Sequence, residues 1–448
     1  MHFLRGTNVP SSSQPLAKAL RTKLSSLLGH ESKMQYCGRC QTELPPKARY
    51  CDHCLSPETI VSGDYMHILN YETGDTCLGV TGKNSVTQTF RHNYDGKLFM
   101  VKARGMLPIM ATPNHPIMVV SRVRRGVANR RGKSEHFVSE QQRSSIWRLS
   151  DPHWKNISDL TRCGAWMSGD YVLMPRVSGW IDANQIDLSP YTTKKGAAVA
   201  RGRNFPTTFS LSHDSAWLLG IYVAEGSANP KGGGCAFSLG RTEIVLKDKI
   251  VRIAESIGYL ARVREMPTAS RVILPSRLLA RALPAWCGQD CYTKRIPEFI
   301  LYHKNIDLLY AFLKGYWSGD GCETHNRRSG RIIYKAVTVS RILALQLQFL
   351  SARIGQFLSV CENKRQPVGT IQGRKFHQST AYMLAYAPPR NHENKQHYMV
   401  RADEVLLPVD KVEEVAYEGP VFNLATVDKT YLANNIVVHN CGAEIHRR

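Results

Sequence analysis

Residues 217–226 read WLLGIYVAEG, and residues 312–321 read FLKGYWSGDG. Both segments are largely apolar, with small residues four positions apart and an acid followed by glycine at the end. Positions four apart share one face of a helix, so each segment predicts a helix with a stripe of small side chains. Such stripes let two backbones approach closely, and we expect the two helices to cross at the centre of one domain. The small residues are Gly220 and Ala224 in the first segment and Gly315 and Gly319 in the second.

The acid-glycine pairs that end the two segments predict a cation site. They are Glu225-Gly226 and Asp320-Gly321. The glycine suits a left-handed C-terminal cap, whereas a carboxylate at the negative end of a helix dipole is unfavourable and invites a cation. Two such acids, brought together, would hold divalent cations such as Mg²⁺, which can activate water. The alternative is a pair of ordinary helix ends.

The chain around these segments has the pattern of a repeated α/β unit. Between residues 214 and 387, helical and strand-like periodicities follow one another as helix, strand, strand and helix, twice over. The predicted helices are His213 to Glu225, Thr242 to Ile257, Ser276 to Trp286, Asp307 to Asp320 and Ile342 to Ile354, and the predicted strands include Ala236 to Leu239, Arg271 to Leu274 and Arg331 to Ser340.

The paired segments resemble the two motifs of LAGLIDADG homing endonucleases. The resemblance implies a two-repeat α/β DNA endonuclease domain, assigned here to residues 211–403, with Mg²⁺ as cofactor and double-stranded DNA as partner. Lys294, in KRIP, matches the lysine that the family has between the motifs, where it supports water activation or phosphate charge. An exposed lysine beside a proline is the plainer interpretation.

The charge of the whole chain agrees with a polyanionic partner. Lys and Arg number 59 against 36 Asp and Glu, which gives a formal net charge of +23. Basic residues cluster in 121–148, 194–203 and 326–331, and a phosphate-tracking surface there predicts binding that weakens steeply with salt. A solvated basic face is the alternative. The stretch 186–210 is expected to be a basic linker.

On both sides of the α/β region the pattern becomes β-like. Alternating apolar runs occur between residues 64 and 120, at 165–177 and at 412–438, which predicts a β domain split by an insertion. Apolar residues make up 43% of the chain, which excludes wholesale disorder. No run approaches the roughly 18 apolar residues of a membrane span. Leucines from Leu16 to Leu28 indicate one amphipathic surface helix, and we expect a cytoplasmic protein without membrane association.

Two cysteine pairs near the start predict a zinc site. Cys37-x2-Cys40 and Cys51-x2-Cys54 have the spacing of two metal knuckles, and four thiolates complete a tetrahedral Zn²⁺ site. Cys441 is followed by Gly-Ala-Glu, so joining His53 directly to Cys441 gives CGRCQTELPPKARYCDHCGAEIHRR, which resembles a zinc ribbon. We therefore expect four zinc ligands after such a joining, with Cys54 a possible fourth ligand before it. The four are Cys37, Cys40, Cys51 and Cys441.

The ends of the interruption resemble an intein, a self-splicing insertion. Residues 54–61 read CLSPETIV, residues 112–117 read TPNHPI, and residues 421–440 read VFNLATVDKTYLANNIVVHN before Cys441. They match the N-terminal block, the TxxH block and the two C-terminal blocks of the family. The resemblance implies an all-β Hint splicing domain of split-horseshoe type in residues 54–185 and 404–440, flanked by host segments 1–53 and 441–448.

The first step that the resemblance implies takes place at the His53–Cys54 bond. The Cys54 thiol would attack the His53 carbonyl to form a thioester. His115 would protonate the departing amide nitrogen, and Thr112 with nearby backbone N–H groups would stabilise the carbonyl oxygen. Alone, a TxxH motif is more often a turn with a satisfied histidine.

The remaining steps concern the bond before Cys441. Cys441 would take over the acyl group, Asn440 would cyclise on its own carbonyl with help from His439, and an S-to-N shift would join His53 to Cys441. The reaction is intramolecular and needs no cofactor. The partner of the spliced zinc ribbon is unknown.

Two positions depart from the intein pattern. Asn423 stands where the family usually has Asp or Cys, and Lys429 falls where it often has His. Asn423 cannot carry a negative charge or titrate, so we expect weaker coordination of the two ends and slow or partial splicing. Two alternatives stay open: a splicing-impaired DNA endonuclease, and a zinc-ribbon adaptor whose insertion is incidental.

Overall fold

The computed structural model describes residues 53–124, 147–164, 168–192, 206–231, 233–325, 330–366, 368–371, 373–388 and 398–440. Several predictions fall outside these residues: the zinc ligands Cys37, Cys40, Cys51 and Cys441, the helix from Leu16 to Leu28, and most of the basic stretch 121–148. The chain forms two compact units. The first contains described residues of 53–103, 108–177 and 398–440, and the second contains residues 104–107 and described residues of 178–388.

The first unit begins with nine strands. Between them lie short 3-10 turns at Ile68–Asn70 and Ile157–Asp159. The strands are β1 Ile60–Val61, β2 Met66–His67, β3 Thr76–Gly79, β4 Gly82–Ala103, β5 Ile109–Ala111, β6 Pro116–Arg124, β7 Trp147–Leu149, β8 His153–Asn156 and β9 Gly169–Pro175.

The second unit contains twelve strands and six helices among its described residues. The strands are β10 Gln185–Asp187, β11 Thr208–Ser210, β12 Gly226–Asn229, β13 Gly234–Gly240, β14 Arg262–Glu265, β15 Ala269–Leu274, β16 Cys322–His325, β17 Ile332–Thr338, β18 Ser359–Asn363, β19 Val368–Ile371, β20 Arg374–His377 and β21 Ala381–Tyr386. The helices are α1 His213–Glu225, α2 Ile244–Ser256, α3 Arg277–Cys287, α4 Glu298–Leu301, α5 Ile306–Asp320 and α6 Arg341–Arg353.

The predicted duplication is present in the second unit. One four-stranded antiparallel sheet has the order β12-β13-β15-β14, and the other has the order β16-β17-β21-β18. Each follows its long helix, α1 or α5, and both sheets therefore repeat one topology. The five predicted helices lie within two residues of the observed ends.

Helices α1 and α5 pack against each other through their glycines. A side chain at Gly220 would fall on the carbonyl oxygen of Phe312, and one at Gly315 would fall on that of Trp217. The contact is reciprocal, as two related helices in close crossing require. Around it, large side chains are buried, among them Phe312, Tyr316 and Tyr222.

The predicted left-handed caps are wrong. Gly226 has φ −86° and ψ 147°, and Gly321 has φ −82° and ψ 141°, so both glycines leave the helix in an extended conformation and begin a strand. Glycine is needed there for space instead. A Cβ at Gly226 would overlap Tyr222, and one at Gly321 would overlap Trp317, the residues one turn earlier.

The chain then returns to the first unit through β22 Met399–Val400, β23 Glu404–Thr426, β24 Thr430–Ala433 and β25 Ile436–His439. Strands β1–β9 and the returning strands β22–β25 form one 13-stranded sheet. Its main path is β2-β1-β24-β25-β6-β9-β23-β4-β3. The long strands β23 and β4 pair from Val409 with Ala103 to Thr426 with Val86. The domain boundaries assigned from sequence stay predictions.

The β-like regions and the linker expected from sequence contain further structure. Within 64–120, residues Ile68–Asn70 form a 3-10 turn, and within 412–438 the strands β24 and β25 form a hairpin. Asn434 and Asn435 form its two-residue turn with φ of 46° and 68°, as a right-twisted hairpin requires. Within the expected linker, β10 pairs with β11. Among the described residues, no helix is long and apolar enough to span a membrane.

Candidate functional site

Strand pairing in the first unit brings the two expected splice junctions into one buried region. Leu55 bridges both Ala111 and Phe422, with Leu55 N donating to Phe422 O at 2.7 Å and Phe422 N donating to Leu55 O at 2.9 Å. Strand β25 pairs with β6 through Val438 and Ile117. The first residues of the sheet are thereby held between the TxxH segment and the C-terminal strands.

Cys54 is buried, with 2% of its surface exposed, and packs against Leu98 and Val421. Its backbone N–H donates to Thr112 Oγ1 at 2.8 Å, and its backbone oxygen accepts from Thr112 N at 2.9 Å. Thr112 therefore fixes the Cys54 backbone at both its N–H and its carbonyl. Its hydroxyl contacts the leaving nitrogen of the expected acyl shift, whereas sequence analysis assigned it to the carbonyl oxygen.

The carbonyl of His53 has a side-chain donor that the sequence did not identify. Asn423 Nδ2 donates to His53 O at 2.5 Å. The other amide atom, Asn423 Oδ1, accepts from Tyr431 Oη at 2.7 Å and from Leu424 N at 2.8 Å. Sequence analysis named Asn423 only as a departure from the intein pattern, since its contact with His53 depends on strand register.

His115 is fully buried beside both junctions. The pKa of its imidazole is lowered from 6.5 to about 3. Burial is the largest cause, and the nearby His53 and His439 contribute in the same direction. A contact with the His53 backbone partly opposes this shift in pKa, although neither ring nitrogen has a hydrogen-bond partner of good geometry among the described residues. A neutral ring at pH 7 is a base with an open site rather than a stored proton.

The C-terminal junction is held by its own hydrogen bonds. His439 Nδ1 lies 2.7 Å from the backbone oxygen of Asn440, and Asn440 Nδ2 donates to Thr426 O at 3.2 Å. Asn440 N donates to Lys429 O at 3.1 Å. Asn440 Oδ1 is buried and has no hydrogen-bond partner among the described residues. Lys429 thus acts through its backbone, in the left-handed conformation.

The structure therefore gathers most predicted splicing residues into one cluster: Cys54, Thr112, His115, His439 and Asn440. Cys441 lies outside the described residues. The residues missed from sequence are Tyr431 and Thr426, which contact Asn423 and Asn440. Both stand inside a matched block, but nothing in their spacing reveals which neighbour they bond.

In the second unit, the two acids lie at the equivalent ends of α1 and α5. The pKa of the Asp320 carboxyl is raised to about 7 by partial desolvation and by the charge of Glu225. The pKa of Glu225 is raised by burial and by Glu243. A bound cation would favour the charged form of both carboxyl groups, whose pKa values burial raises.

Lys294 belongs to the same site but is not an exposed lysine. It is 8% exposed, and its ammonium donates to Tyr222 O at 2.7 Å and to Gly226 O at 2.8 Å. Burial lowers the pKa of this lysine, whereas Asp320 and Glu225 oppose that shift. In this conformation Lys294 caps the C-terminal end of α1.

Glu225 and Asp320 fit a divalent cation in part. Mg²⁺ is usually held by one or two carboxylates, with waters and substrate phosphates completing six oxygens. Among the described residues, no group of three or more His, Cys, Asp or Glu is arranged to hold a metal. A site made of these two acids would therefore need phosphate oxygens or water to be complete.

Comparison with protein families identifies residues 307–377 as matching the LAGLIDADG-like domain. The chain is 26% identical over 418 residues to the ATP-dependent DNA helicase Hel308 of Thermococcus kodakarensis, covering 86% of this chain and 36% of the helicase. It is 24% identical over 411 residues to an iron-sulfur cluster assembly SufBD family protein of Mycobacterium tuberculosis, covering 89% of this chain and 44% of that protein. The chain thus spans less than half the length of either relative.

Among solved structures, the homing endonuclease I-DmoI in complex with DNA and Ca matches with a TM-score of 0.28 and 13% identity, covering 39% of this chain and 83% of that one. Full-length DUF199/WhiA from Thermotoga maritima matches with a TM-score of 0.26 and 10% identity, covering 40% of this chain and 52% of that one. From the family match, this protein contains a LAGLIDADG-like domain.

Proposed function

We propose that the chain is a self-splicing precursor that excises residues 54–440 and joins His53 to Cys441. The observation that carries the proposal is the buried cluster in which Cys54, His115 and Asn440 lie around both junctions. Residues far apart in sequence meet there, with polar groups that an ordinary core would not retain without a use.

In the first step, the neutral His115 takes the proton of the Cys54 thiol. The thiolate sulfur adds to the His53 carbonyl carbon, the C–N bond breaks, and His115 returns the proton to the Cys54 nitrogen. With a pKa lowered to about 3, His115 is a weak base toward the thiol, and its protonated form is a strong acid toward the departing Cys54 nitrogen. Thr112, bonded to the same nitrogen, orients it during departure.

At the other junction, His439 polarises the carbonyl that Asn440 attacks. The contact between His439 Nδ1 and Asn440 O is already made. Asn440 Nδ2 forms the new C–N bond and gives up one proton, the bond to Cys441 breaks, and the Cys441 nitrogen takes up one proton as it leaves as an amine. The hydrogen bond from Asn440 Nδ2 to Thr426 O orients the attacking amide. Cys441 would first have taken the acyl group from Cys54, and a final S-to-N shift would restore an ordinary peptide bond.

The names of the relatives support an inserted element. A helicase and an iron-sulfur assembly protein have unrelated printed functions, yet each shares a stretch that covers more than 85% of this chain and less than half of itself. A mobile segment within different hosts explains this distribution. The host part here would be the zinc ribbon of Cys37, Cys40, Cys51 and Cys441.

For the second unit we propose Mg²⁺-dependent cleavage of double-stranded DNA. The observation in its favour is the pair Glu225 and Asp320 at matching helix ends, each with a raised carboxyl pKa. Bound Mg²⁺ would supply an activated water and neutralise phosphate charge. Lys294, within the same region, would hold the α1 end in position.

Two variants test splicing directly. Asn440→Ala should leave the Cys54 thioester intact, so that added thiol releases residues 1–53. Cys54→Ala should abolish that release while C-terminal cyclisation at Asn440 continues. Thiol-induced release that survives Cys54→Ala would overturn the assignment of the nucleophile.

The nuclease is tested separately on DNA that encodes residues 1–53 joined to 441–448. Glu225→Ala with Asp320→Ala should stop nicking and leave splicing unchanged. Nicking at the parent rate would remove these acids from the proposal. The matched control is Asp307→Ala, at the exposed N-terminal end of α5.

A further inference from the structure

We infer that Asn423 is a catalytic residue of the N-terminal step, because its amide stabilises the negative charge that forms on the His53 carbonyl oxygen. The inference rests on the proposed splicing function and adds a residue to it. The role needs a hydrogen-bond donor, which an ionised Asp at this position would not supply. Asn423, where the intein pattern usually has Asp or Cys, would thus supply a hydrogen bond to the His53 carbonyl oxygen.

The contact is short and enclosed. Asn423 Nδ2 lies 2.5 Å from His53 O, and Asn423 and His53 are 1% and 3% exposed. In such surroundings a fixed donor stabilises a forming oxyanion far more than it would in water. Because the donor is already in position, the protein reorganises little when the charge appears.

Two neighbours determine which end of the amide faces the carbonyl. Tyr431 Oη and Leu424 N both donate to Asn423 Oδ1. With the amide reversed, its NH₂ group would face the Leu424 N–H, which can only donate, and its oxygen would face the His53 carbonyl oxygen, which can only accept. The Tyr431 hydroxyl can pair with either end of the amide, so Leu424 N and His53 O are the groups that place Nδ2 toward His53.

The backbone around Asn423 is equally fixed. Phe422, its neighbour in β23, exchanges both backbone hydrogen bonds with Leu55, which follows the Cys54 nucleophile. A donor on a paired strand is held more rigidly than one on a loop. The pairing sets the distance between the Asn423 amide and the scissile carbonyl.

In the step itself, the Cys54 sulfur forms a bond to the His53 carbonyl carbon and the C=O pair moves onto oxygen. Asn423 keeps its proton and holds the charged oxygen through a hydrogen bond that strengthens as the charge grows. When the pair returns, the C–N bond breaks and the Cys54 nitrogen takes the proton from His115. Asn423 therefore lowers the barrier without exchanging atoms.

The test uses the full chain with Asn440→Ala, in which the thioester accumulates. Dithiothreitol-induced release of residues 1–53 is followed in time for Asn423→Leu, which is close in size and has no donor. We expect a rate about 10² to 10³ times lower, the loss typical for one oxyanion donor. Asn93→Leu, at an exposed position on the partner strand β4, should leave the rate unchanged.

A second readout separates catalysis from folding. C-terminal cyclisation in a Cys54→Ala chain should keep its rate when Asn423→Leu is added, because Asn440 is held by hydrogen bonds to Thr426 O and Lys429 O. If Asn423→Leu abolishes both thiol-induced release and cyclisation, the variant Tyr431→Phe is measured instead. It removes only the hydroxyl that holds Asn423 Oδ1, so the Asn423 amide can rotate away from His53 O. Slower thiol release with normal cyclisation then supports the inference, and equal rates overturn it.

Failure of the inference is distinguishable from failure of splicing. No thiol-induced release from the Asn440→Ala parent would contradict the proposed function. Release from that parent at a rate that Asn423→Leu leaves unchanged would overturn only the role of Asn423.

Discussion

Val438 pairs with Ile117 in an antiparallel ladder that joins the last strand of the first unit to the strand that follows His115. His439, next to Val438, is close enough for its charge to lower the pKa of His115. The ladder therefore links the catalytic groups assigned to the two ends of the insertion.

Acid should destabilise the first unit through His115. Its pKa is about 3 in the folded protein and 6.5 ordinarily, so the unfolded chain binds the extra proton between these values. Stability is then lost as pH falls below 6.5, by about 2 kcal/mol at pH 5 from this group alone. His115→Leu should show a smaller loss between pH 7 and 5.

Hydrogen exchange of the β25 amides measures this effect in a chain kept intact by Cys54→Ala and Asn440→Ala. The two chains differ only at His115, so other titrating groups cancel. An equal loss of protection in both would show that His115 is not buried in its neutral form.

The helix crossing should not tolerate a methyl group. Gly220→Ala or Gly315→Ala would drive Cβ into the carbonyl oxygen of the facing helix, and we expect each to lower the free energy of unfolding of the second unit by roughly 1–3 kcal/mol. Gly240→Ala is the control, since its Cβ would meet only the flexible end of Glu243 at 3.2 Å. The stability of each variant is measured by urea unfolding, with amide exchange in α1 as the signal. Equal stability of all variants and the parent would contradict the close packing.

Without a bound metal, the ionised form of Asp320 should destabilise the second unit above about pH 7. Its pKa is raised to about 7, so the folded state retains a proton that the unfolded chain has lost, and stability falls as pH rises toward 7. Asp320→Asn should therefore stabilise the second unit at pH 8 while weakening Mg²⁺ binding in calorimetry. Asp307→Asn, at the opposite end of α5, should instead lose a favourable dipole interaction. If Asp320→Asn and Asp307→Asn both stabilise the second unit, or neither does, the raised pKa of Asp320 is contradicted.

Lys294 should stabilise the end of α1 through its two hydrogen bonds. Lys294→Met removes donors from the Tyr222 and Gly226 carbonyls, and we expect a loss of roughly 1–3 kcal/mol. The exposed neighbour Arg295 provides the matched variant Arg295→Met, with an effect within about 0.5 kcal/mol. Thermal unfolding without metal or DNA separates this structural role from a purely catalytic one, in which both variants would be equally stable.

The helices of the second unit could be predicted because apolar periodicity extends over three or more turns, as in residues 213–225. The conformation at the helix ends could not be predicted. A glycine after a helix suggests a left-handed cap, whereas Gly226 is needed for space against the Tyr222 ring, a contact that the sequence does not show. Burial of Lys294 was equally hidden, since it depends on the packing of α1. At the expected splice junctions the motifs select residues that the structure brings together, whereas the partner of Asn423 follows from a register across hundreds of residues.

The central claim is tested by intact mass of the freshly expressed chain over time. The account predicts two products: residues 54–440 ending in a succinimide at Asn440, and residues 1–53 joined to 441–448. Cys54→Ala together with Asn440→Ala should yield neither. Persistence of the 50.4 kDa chain alone, with no ligated product under conditions where the first unit is folded, would contradict the account.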